Sequence, residues 1–159
     1  MSADTWPRLR FATNEDSEAI TNLVFDVLRR YDLRPDPDCT DADLKDIERS
    51  YFERGGGFYV LQEQDGSIVG AYGLYPLGGR TCELRKMYLR LAYRGKGLGK
   101  FLLDDAVARA KKMGFERIVL ETASVLKEAI GLYRSYGFVE YHPDHLSARC
   151  DQAYELSLR

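Results

Sequence analysis

The chain has no run of roughly 20 apolar residues, the length a membrane-spanning helix needs. Its opening residues, Met1-Ser2-Ala3-Asp4-Thr5-Trp6-Pro7-Arg8, lack the charged and apolar regions of a secretory leader. Cysteine is scarce and odd in number: Cys39, Cys82 and Cys150 lie far apart. No CxxC pair or Cys/His cluster offers zinc-ligand spacing, so a reducing cytoplasm and no structural metal are expected. Charge of one sign is also missing. The formal net charge is -2, which gives no electrostatic reason to expect nucleic acid or an anionic membrane as a partner. There is no internal repeat, low-complexity tract or linker.

What remains is an ordinary globular composition. The 159 residues are 45% hydrophobic and 30% charged, enough for one α/β domain over 1–159 with a real core. Leu9 to Ala12 reads as a strand. Thr13 or Asn14 caps a helix whose apolar residues Ile20, Leu23, Val24, Val27, Leu28 and Tyr31 recur at helical spacing. Pro35 and Pro37 stop it, and a weaker helix runs from about Asp41 to Phe52. Three strands follow, at Phe58–Gln62, Ile68–Tyr75 and Thr81–Leu89, joined by the turns Gln64-Asp65-Gly66-Ser67 and Pro76-Leu77-Gly78-Gly79, so they form an antiparallel meander. A helix from about Gly97 to Met113 precedes a buried strand, Arg117–Thr122. A helix from Leu126 to Tyr136, the strand Phe138–Tyr141, a loop from His142 to Asp151 and a last strand, Ala153–Leu158, complete the order β-α-α-β-β-β-α-β-α-β-β. A strand, a helix and another strand imply one locally parallel pair inside a mixed sheet.

One segment carries chemistry. Arg94-Gly95-Lys96-Gly97-Leu98-Gly99-Lys100 joins a strand to a helix. Glycines let the backbone approach a ligand closely. The free N–H groups at the helix start, with the positive end of the helix dipole, favour a bound di- or polyphosphate. Arg94, Lys96 and Lys100 would add charge. The register excludes two commoner phosphate motifs. A Walker A loop would need glycine at Arg94 and a hydroxyl at Phe101; a Rossmann fingerprint would need glycine at Lys100.

Arg94-Gly95-Lys96-Gly97-Leu98-Gly99 also fits the pattern [RQ]xxGx[GA] at every fixed position, and there the chain resembles the GNAT superfamily of N-acetyltransferases. Lys86-Met87-Tyr88-Leu89 is similar to the family's strand before that loop. Ala129-Ile130-Gly131-Leu132-Tyr133-Arg134-Ser135-Tyr136-Gly137-Phe138 is similar to its AxxLYxxxGF segment. The resemblance covers residues 82–138 closely and the first 80 only in element order. It departs at Leu91, where many members have proline, and at Leu126, where many have an asparagine that touches the cofactor arm; Thr122 or backbone groups would substitute. The resemblance implies a mostly antiparallel central sheet, a splayed locally parallel strand pair and about four helices. It implies acetyl-CoA as co-substrate, its pantetheine arm paired with the backbone of Met87, Tyr88 and Leu89, its pyrophosphate held by Gly95 to Lys100 together with Arg94, and Tyr133 against the thioester sulfur.

Acyl transfer to an amine requires a neutral amine, and an alkylamine with a pKa of about 10.4 is mostly protonated at neutral pH. Glu83, four residues before Met87, is the candidate base; a salt bridge to Arg85 is the competing explanation, and it would weaken that base. Strand alternation, barring a bulge, puts Glu83, Arg85, Met87 and Leu89 on one face. Tyr133 is the candidate acid, with core packing as its competing explanation. Tyr136 reads as packing. His142 and His145 read as surface residues, with a role at the substrate mouth the weaker alternative. Cys82 falls on the other strand face from Glu83 and has no histidine near it to make it a nucleophile. By resemblance, the acceptor site is built from roughly Phe25 to Phe52. The acidic residues there, Asp36, Asp38, Asp41 and Asp43, would suit a cationic amine or simply be solvated. The expected function is direct acetyl transfer to a primary amine on a small molecule or a protein. The alternative is a CoA-binding or regulatory domain without catalysis. Exposed strands would permit a homodimer.

Overall fold

A computed structural model describes residues 6–159. Residues 1–5, within the segment read for a leader, lie outside the described residues. Seven strands form one sheet: β1 (Arg8–Phe11), β2 (Gly57–Gln62), β3 (Ile68–Gly78), β4 (Thr81–Leu89), β5 (Arg117–Thr122), β6 (Val139–Tyr141) and β7 (Gln152–Ser157), in the order β1-β2-β3-β4-β5-β7-β6. Every neighbouring pair is antiparallel except β4 and β5. The helices are α1 (Ser17–Arg30), α2 (Ile47–Ser50), α3 (Leu98–Lys112) and α4 (Lys127–Tyr136). The mixed sheet with one parallel pair and four helices is the expected fold class.

The sheet is covered on both faces, so β2 and β3 read as near-continuous apolar runs. On one face, Leu102, Leu103 and Ala106 of α3 and Tyr133 of α4 pack with Tyr72, Leu74, Leu84, Ile118 and Leu120. On the other, Ile20, Leu23, Val24 and Leu28 of α1 pack with Ile47, Tyr51, Phe58, Val60 and Ala71. The Thr13 N–H donates to Asp16 at 2.9 Å, and Asp16 also holds Arg10 through two bonds of 2.8 Å, tying β1 to the entry of α1.

Two local expectations change. The helix read over Asp41–Phe52 is broken into a 3-10 turn at Ala42–Lys45, the single α-turn α2, and another 3-10 turn at Phe52–Arg54. The Asp46 carboxylate accepts from the Arg49 N–H at 3.1 Å, restarting the helix rather than continuing it. Asp41 and Asp43 face inward instead of following a helical face. The second change is in the β3–β4 hairpin. β3 runs through Pro76 to Gly78, leaving Gly79 and Arg80 as the turn. Proline is tolerated there because β2 pairs no further than Leu74, so no ladder bond is lost on that side.

The feature that shapes the site is a bulge in β4. Gly73 pairs with Arg85 but Ala71 with Tyr88, so β4 holds one residue more than β3 across that step. Lys86 occupies the bulge with φ +56, a left-handed conformation that costs a side-chain-bearing residue about 1–2 kcal/mol. Strong contacts hold it. Lys86 Nζ donates to the Thr40 carbonyl at 3.2 Å and lies 3.4 Å from Asp41 and 3.3 Å from Asp43. Asp41, whose side chain is 0% exposed, also accepts two bonds from Arg149, of 2.7 and 2.6 Å. Asp43 accepts from the Tyr51 hydroxyl. Burial pushes the Asp41 carboxyl up, but the Arg149 guanidinium, the Asp36 amide and Lys86 outweigh it and hold it below the usual carboxylate range.

Asp41→Asn leaves two buried cations without their shared anion and is expected to cost about 3–5 kcal/mol in urea unfolding at neutral pH. Because the folded-state pKa of Asp41 is depressed, this contribution is present above the unfolded value of about 3.9 and is lost as pH falls through the lower folded value. The gap between wild type and variant should therefore close under acid conditions.

Candidate active site

The parallel pair opens into a cleft. β4 and β5 are in register only at Thr81–Arg117, Cys82–Ile118 and Glu83–Val119. Beyond Glu83 the strands diverge, and the β5-facing edge of Leu84 to Leu89 is left without a sheet partner. A cavity of about 630 Å³ fills the gap. Met87, Tyr88, Leu89, Thr122 and Tyr133 line it, as do Glu83 and Arg85. At one end it reaches Arg94, Gly95 and Gly99.

The bulge corrects the strand-face expectation. Met87 and Leu89 pack on the α3/α4 side with Leu84 and Cys82. Glu83 and Arg85 are on the opposite side, near Tyr51 and Tyr75. With its extra residue, β4 places Arg85, Lys86 and Tyr88 all toward the α1 side. Glu83 is buried and ion-paired with Arg85, whose guanidinium lies 3.7 Å from the centre of the Tyr75 ring. The salt bridge offered as the competing account of Glu83 is therefore present, yet the carboxylate still borders the cavity.

Tyr133 is buried on α4 against Phe138, with ring centroids 5.7 Å apart. It is a core aromatic that also lines the cavity. Burial, and then Tyr88, pushes its phenol up, keeping it protonated throughout the neutral range. Tyr88 is pushed up to about 12 by burial and lies beside Arg149 and Cys150. Tyr136 packs at the edge of the same core and bonds Asp104, as a packing residue would. Cys82 is buried among apolar side chains, its thiol pushed up to about 12, which makes it a poor nucleophile.

The glycine loop has the geometry of an anion cradle. Gly95 and Gly97 take φ +74 and +80, and a Cβ on either would meet nothing within 4 Å. Backbone conformation and open space outside the loop, not internal packing, require glycine there. Gly97 precedes α3 and has no side chain to cap it, and no acidic residue occupies the first turn. The first N–H groups of α3 are thus left for a ligand. The basic residues behave differently from one another. Arg94 folds back, donating to the Tyr31 hydroxyl at 2.5 Å and to the Leu89 carbonyl at 3.3 Å, and so fixes the loop to α1 and β4. Lys100 pairs with Asp104 at 3.1 Å, and Lys96 lies over the Tyr93 ring at 5.6 Å. Lys96, Gly97, Leu98 and Lys100 are not among the residues that line the cavity, and Leu98 packs against the α3/α4-side core instead.

The residues between α1 and α2 contribute Tyr31, Leu33, Cys39 and Thr40 to the cavity, as expected of an acceptor wall. Their acidic neighbours do not face it as free charges: Asp41 and Asp43 are neutralised by Lys86 and Arg149, and Asp36 accepts from Thr40. The loop over residues 142–151 supplies a wall that sequence reasoning missed. His145, Ser147, Arg149 and Cys150 border the cavity. Only His145 was legible as a weak candidate, because nothing local in the sequence ties Arg149 to a carboxylate 108 residues away.

Residues 21–138 match the model of the acetyltransferase (GNAT) family. The chain belongs to the GNAT acetyltransferase family. It is 42% identical over 137 residues to the uncharacterised N-acetyltransferase YjgM of Escherichia coli (strain K12), covering 83% of this chain and 81% of that protein. It is 34% identical over 105 residues to the probable N-acetyltransferase family 8 member 5 of Mus musculus, covering 63% of this chain and 46% of that one. Among solved structures, a GNAT-family acetyltransferase from Staphylococcus aureus Mu50 superposes with a TM-score of 0.90 at 24% identity, over 96% of this chain and 99% of that one. A phosphinothricin acetyltransferase from Sinorhizobium meliloti, in complex with AcCoA, superposes with a TM-score of 0.73 at 20% identity, over 94% and 87%. Among the described residues, no group of side chains could hold a metal ion and no helix is long and apolar enough to cross a membrane.

The two kinds of glycine in the GNAT loop should respond differently to alanine. Gly97→Ala places a Cβ in the left-handed region and should cost about 1–2 kcal/mol of stability without ligand. Gly99 lies in α3, where a Cβ would meet the movable end of Leu132 at 3.2 Å. Gly99→Ala should therefore be neutral or gain up to about 1 kcal/mol from helix propensity. Thermal unfolding of the two variants checks this.

Proposed function

We propose that the protein transfers acetyl from acetyl-CoA to a primary amine by direct attack, with Tyr133 as acid and Glu83 as base. The observation that carries this reading is the divergence of β4 from β5 after Glu83. It opens a cavity bordered by the glycine loop, the free edge of β4 and a protonated tyrosine. An unpaired strand edge is a template for an extended arm carrying amide groups. The uncapped start of α3 suits a pyrophosphate. A known relative of the same fold, the Sinorhizobium meliloti enzyme, was solved with AcCoA.

Acetyl-CoA supplies the acetyl group as a thioester. Backbone N–H groups on the β4 edge polarise its carbonyl. Glu83, directly or through water, takes the proton of the ammonium, and the neutral nitrogen then bonds to the carbonyl carbon. That bond acidifies the second N–H, whose proton passes to water. Arg85, ion-paired with Glu83, fixes its carboxylate at the border of the cavity. As the carbon–sulfur bond breaks, Tyr133 gives its proton to the departing thiolate. A phenol of ordinary pKa, about 10, is already a donor at neutral pH, and burial raises Tyr133 further from ionisation.

Tyr133→Phe should lower kcat about 100-fold or more, the usual range for loss of a general acid, while the acetyl-CoA Kd changes little. Free-thiol release and calorimetric titration measure the two separately. Unchanged turnover would remove Tyr133 from the mechanism. Tight binding of acetyl-CoA without thiol release, for any amine offered to the wild type, would favour a non-catalytic CoA-binding domain. Glu83→Gln should be most impaired near neutrality and recover as pH approaches the amine's own pKa of about 10.4, where less base catalysis is needed. A constant ratio to wild type across that range would return Glu83 to a purely structural pairing with Arg85.

A further inference from the structure

Away from the glycine loop, the cavity is bounded by two loops that meet. Residues 31–46 contribute Leu33, Cys39 and Thr40; residues 142–151 contribute His145, Ser147 and Cys150. Arg149 crosses from the second loop to the first. Its guanidinium donates to both oxygens of Asp41, at 2.7 and 2.6 Å, and to the Arg34 carbonyl at 3.4 Å. The second loop is also fastened to β5 and its continuation. Its Ser147 N–H donates to Glu121 at 2.8 Å, and Asp151 accepts from the Ser124 N–H and hydroxyl, each at 2.7 Å. A bidentate Arg–carboxylate pair with a fully buried acid is a strong and geometrically fixed contact. The rim is thus continuous from β5 to the residues after α1.

We propose that the acceptor is a small free amine, admitted whole into a cavity rimmed on one side by the Arg149–Asp41 clasp, and not a lysine on the surface of a folded protein. This rests on the transferase reading and narrows it. Ligand sites for single small molecules span about 300–1,000 Å³. Here about 630 Å³ has to hold both the thioester arm and the acceptor. A lysine on a folded protein brings its backbone and neighbours, which need an open groove beside the reacting carbon. The clasp joins the two loops into a continuous rim on that side of the cavity, which a bulky acceptor would have to clear. The wall carries both signs of charge: Arg85, Lys86, Arg94 and Arg149 line it with Glu83, Glu121 and Glu128, and an amine that arrives as a cation would meet Glu121. Glu83 and Glu121 border the cavity, and Glu121 has no ion-pair partner among the described residues, only the Ser147 N–H. Arg149 is a positioning residue: it touches the acid that also holds Lys86 in the β4 bulge, so the clasp and the bulge share one anion.

The test offers wild-type protein and acetyl-CoA a panel of small primary amines (amino acids, alkyl diamines, polyamines) and, at equal amine concentration, a lysine-rich folded protein. Thiol release is read for each, and product by mass. The expected result is that at least one small amine exceeds the folded protein in kcat/KM per amine by about 100-fold or more. Equal or faster acetylation of the folded protein overturns the proposal and leaves the transferase reading standing. No thiol release above the acetyl-CoA blank with any acceptor overturns both. For the clasp, Arg149→Ala should raise KM for the small amine about tenfold with kcat and acetyl-CoA affinity little changed, and Arg149→Lys should recover only part, because it cannot form the bidentate pair. A folded Arg149→Ala protein with an unaltered KM removes the clasp from acceptor selection. If that variant does not fold, the wild-type comparison decides alone.

Discussion

The architecture of the site depends on one buried ionic contact, Lys86 with Asp41 and Asp43. A lysine in the left-handed region of an otherwise regular strand is unfavourable by itself, and a desolvated ammonium is more so. Two carboxylates and the Thr40 carbonyl offset both costs. Once Lys86 is held, β4 carries an extra residue against β3. Glu83 and Arg85 then face the α1 side, while Met87 and Leu89 face α3 and α4. The strand turns from β5 at the same region, and the cleft opens where the bulge re-aims the chain. The facing of Glu83 relative to Met87, and the place where the cleft opens, follow from it.

The same anion reaches a third element. Asp41 receives Arg149 from the loop over 142–151, so segments distant in sequence converge on one carboxylate: the residues after α1, the β4 bulge and the loop before β7. This explains why the acidic stretch between α1 and α2 is not an open cation trap. Its inward-facing members neutralise basic groups of the protein itself. The glycine loop is organised on a similar principle. Its arginine bonds Tyr31 and Leu89, and the backbone N–H groups at the uncapped start of α3 are left open.

Much of this was legible in the sequence because it is local. Helical spacing in α1 and α3, alternation and turn residues in the β2–β4 meander, and the glycines that end helices depend on residues within a few positions of one another. The glycine loop was legible for the same reason: its conformation, its uncapped helix start and the spacing that excludes other phosphate motifs are all contained in seven residues. Tyr133 could be named from its segment, although only the fold shows it lining the cavity against Phe138. The helix over Asp41–Phe52 was overread because Asp46 ends one turn and begins another, and because two aspartates face inward to reach Lys86, which lies some 40 residues further along.

The sequence by itself determined the element order, the mixed sheet, the family resemblance and the loop that suits a pyrophosphate, since each is written in short-range pattern. Only the tertiary structure decided which way Glu83 faces, what the acidic residues neutralise and what rims the far side of the cavity. The physical reason is that these are set by buried charges. A buried charge must find its partner wherever the folded chain brings one, and neither spacing nor composition records that Asp41, Lys86 and Arg149 will meet.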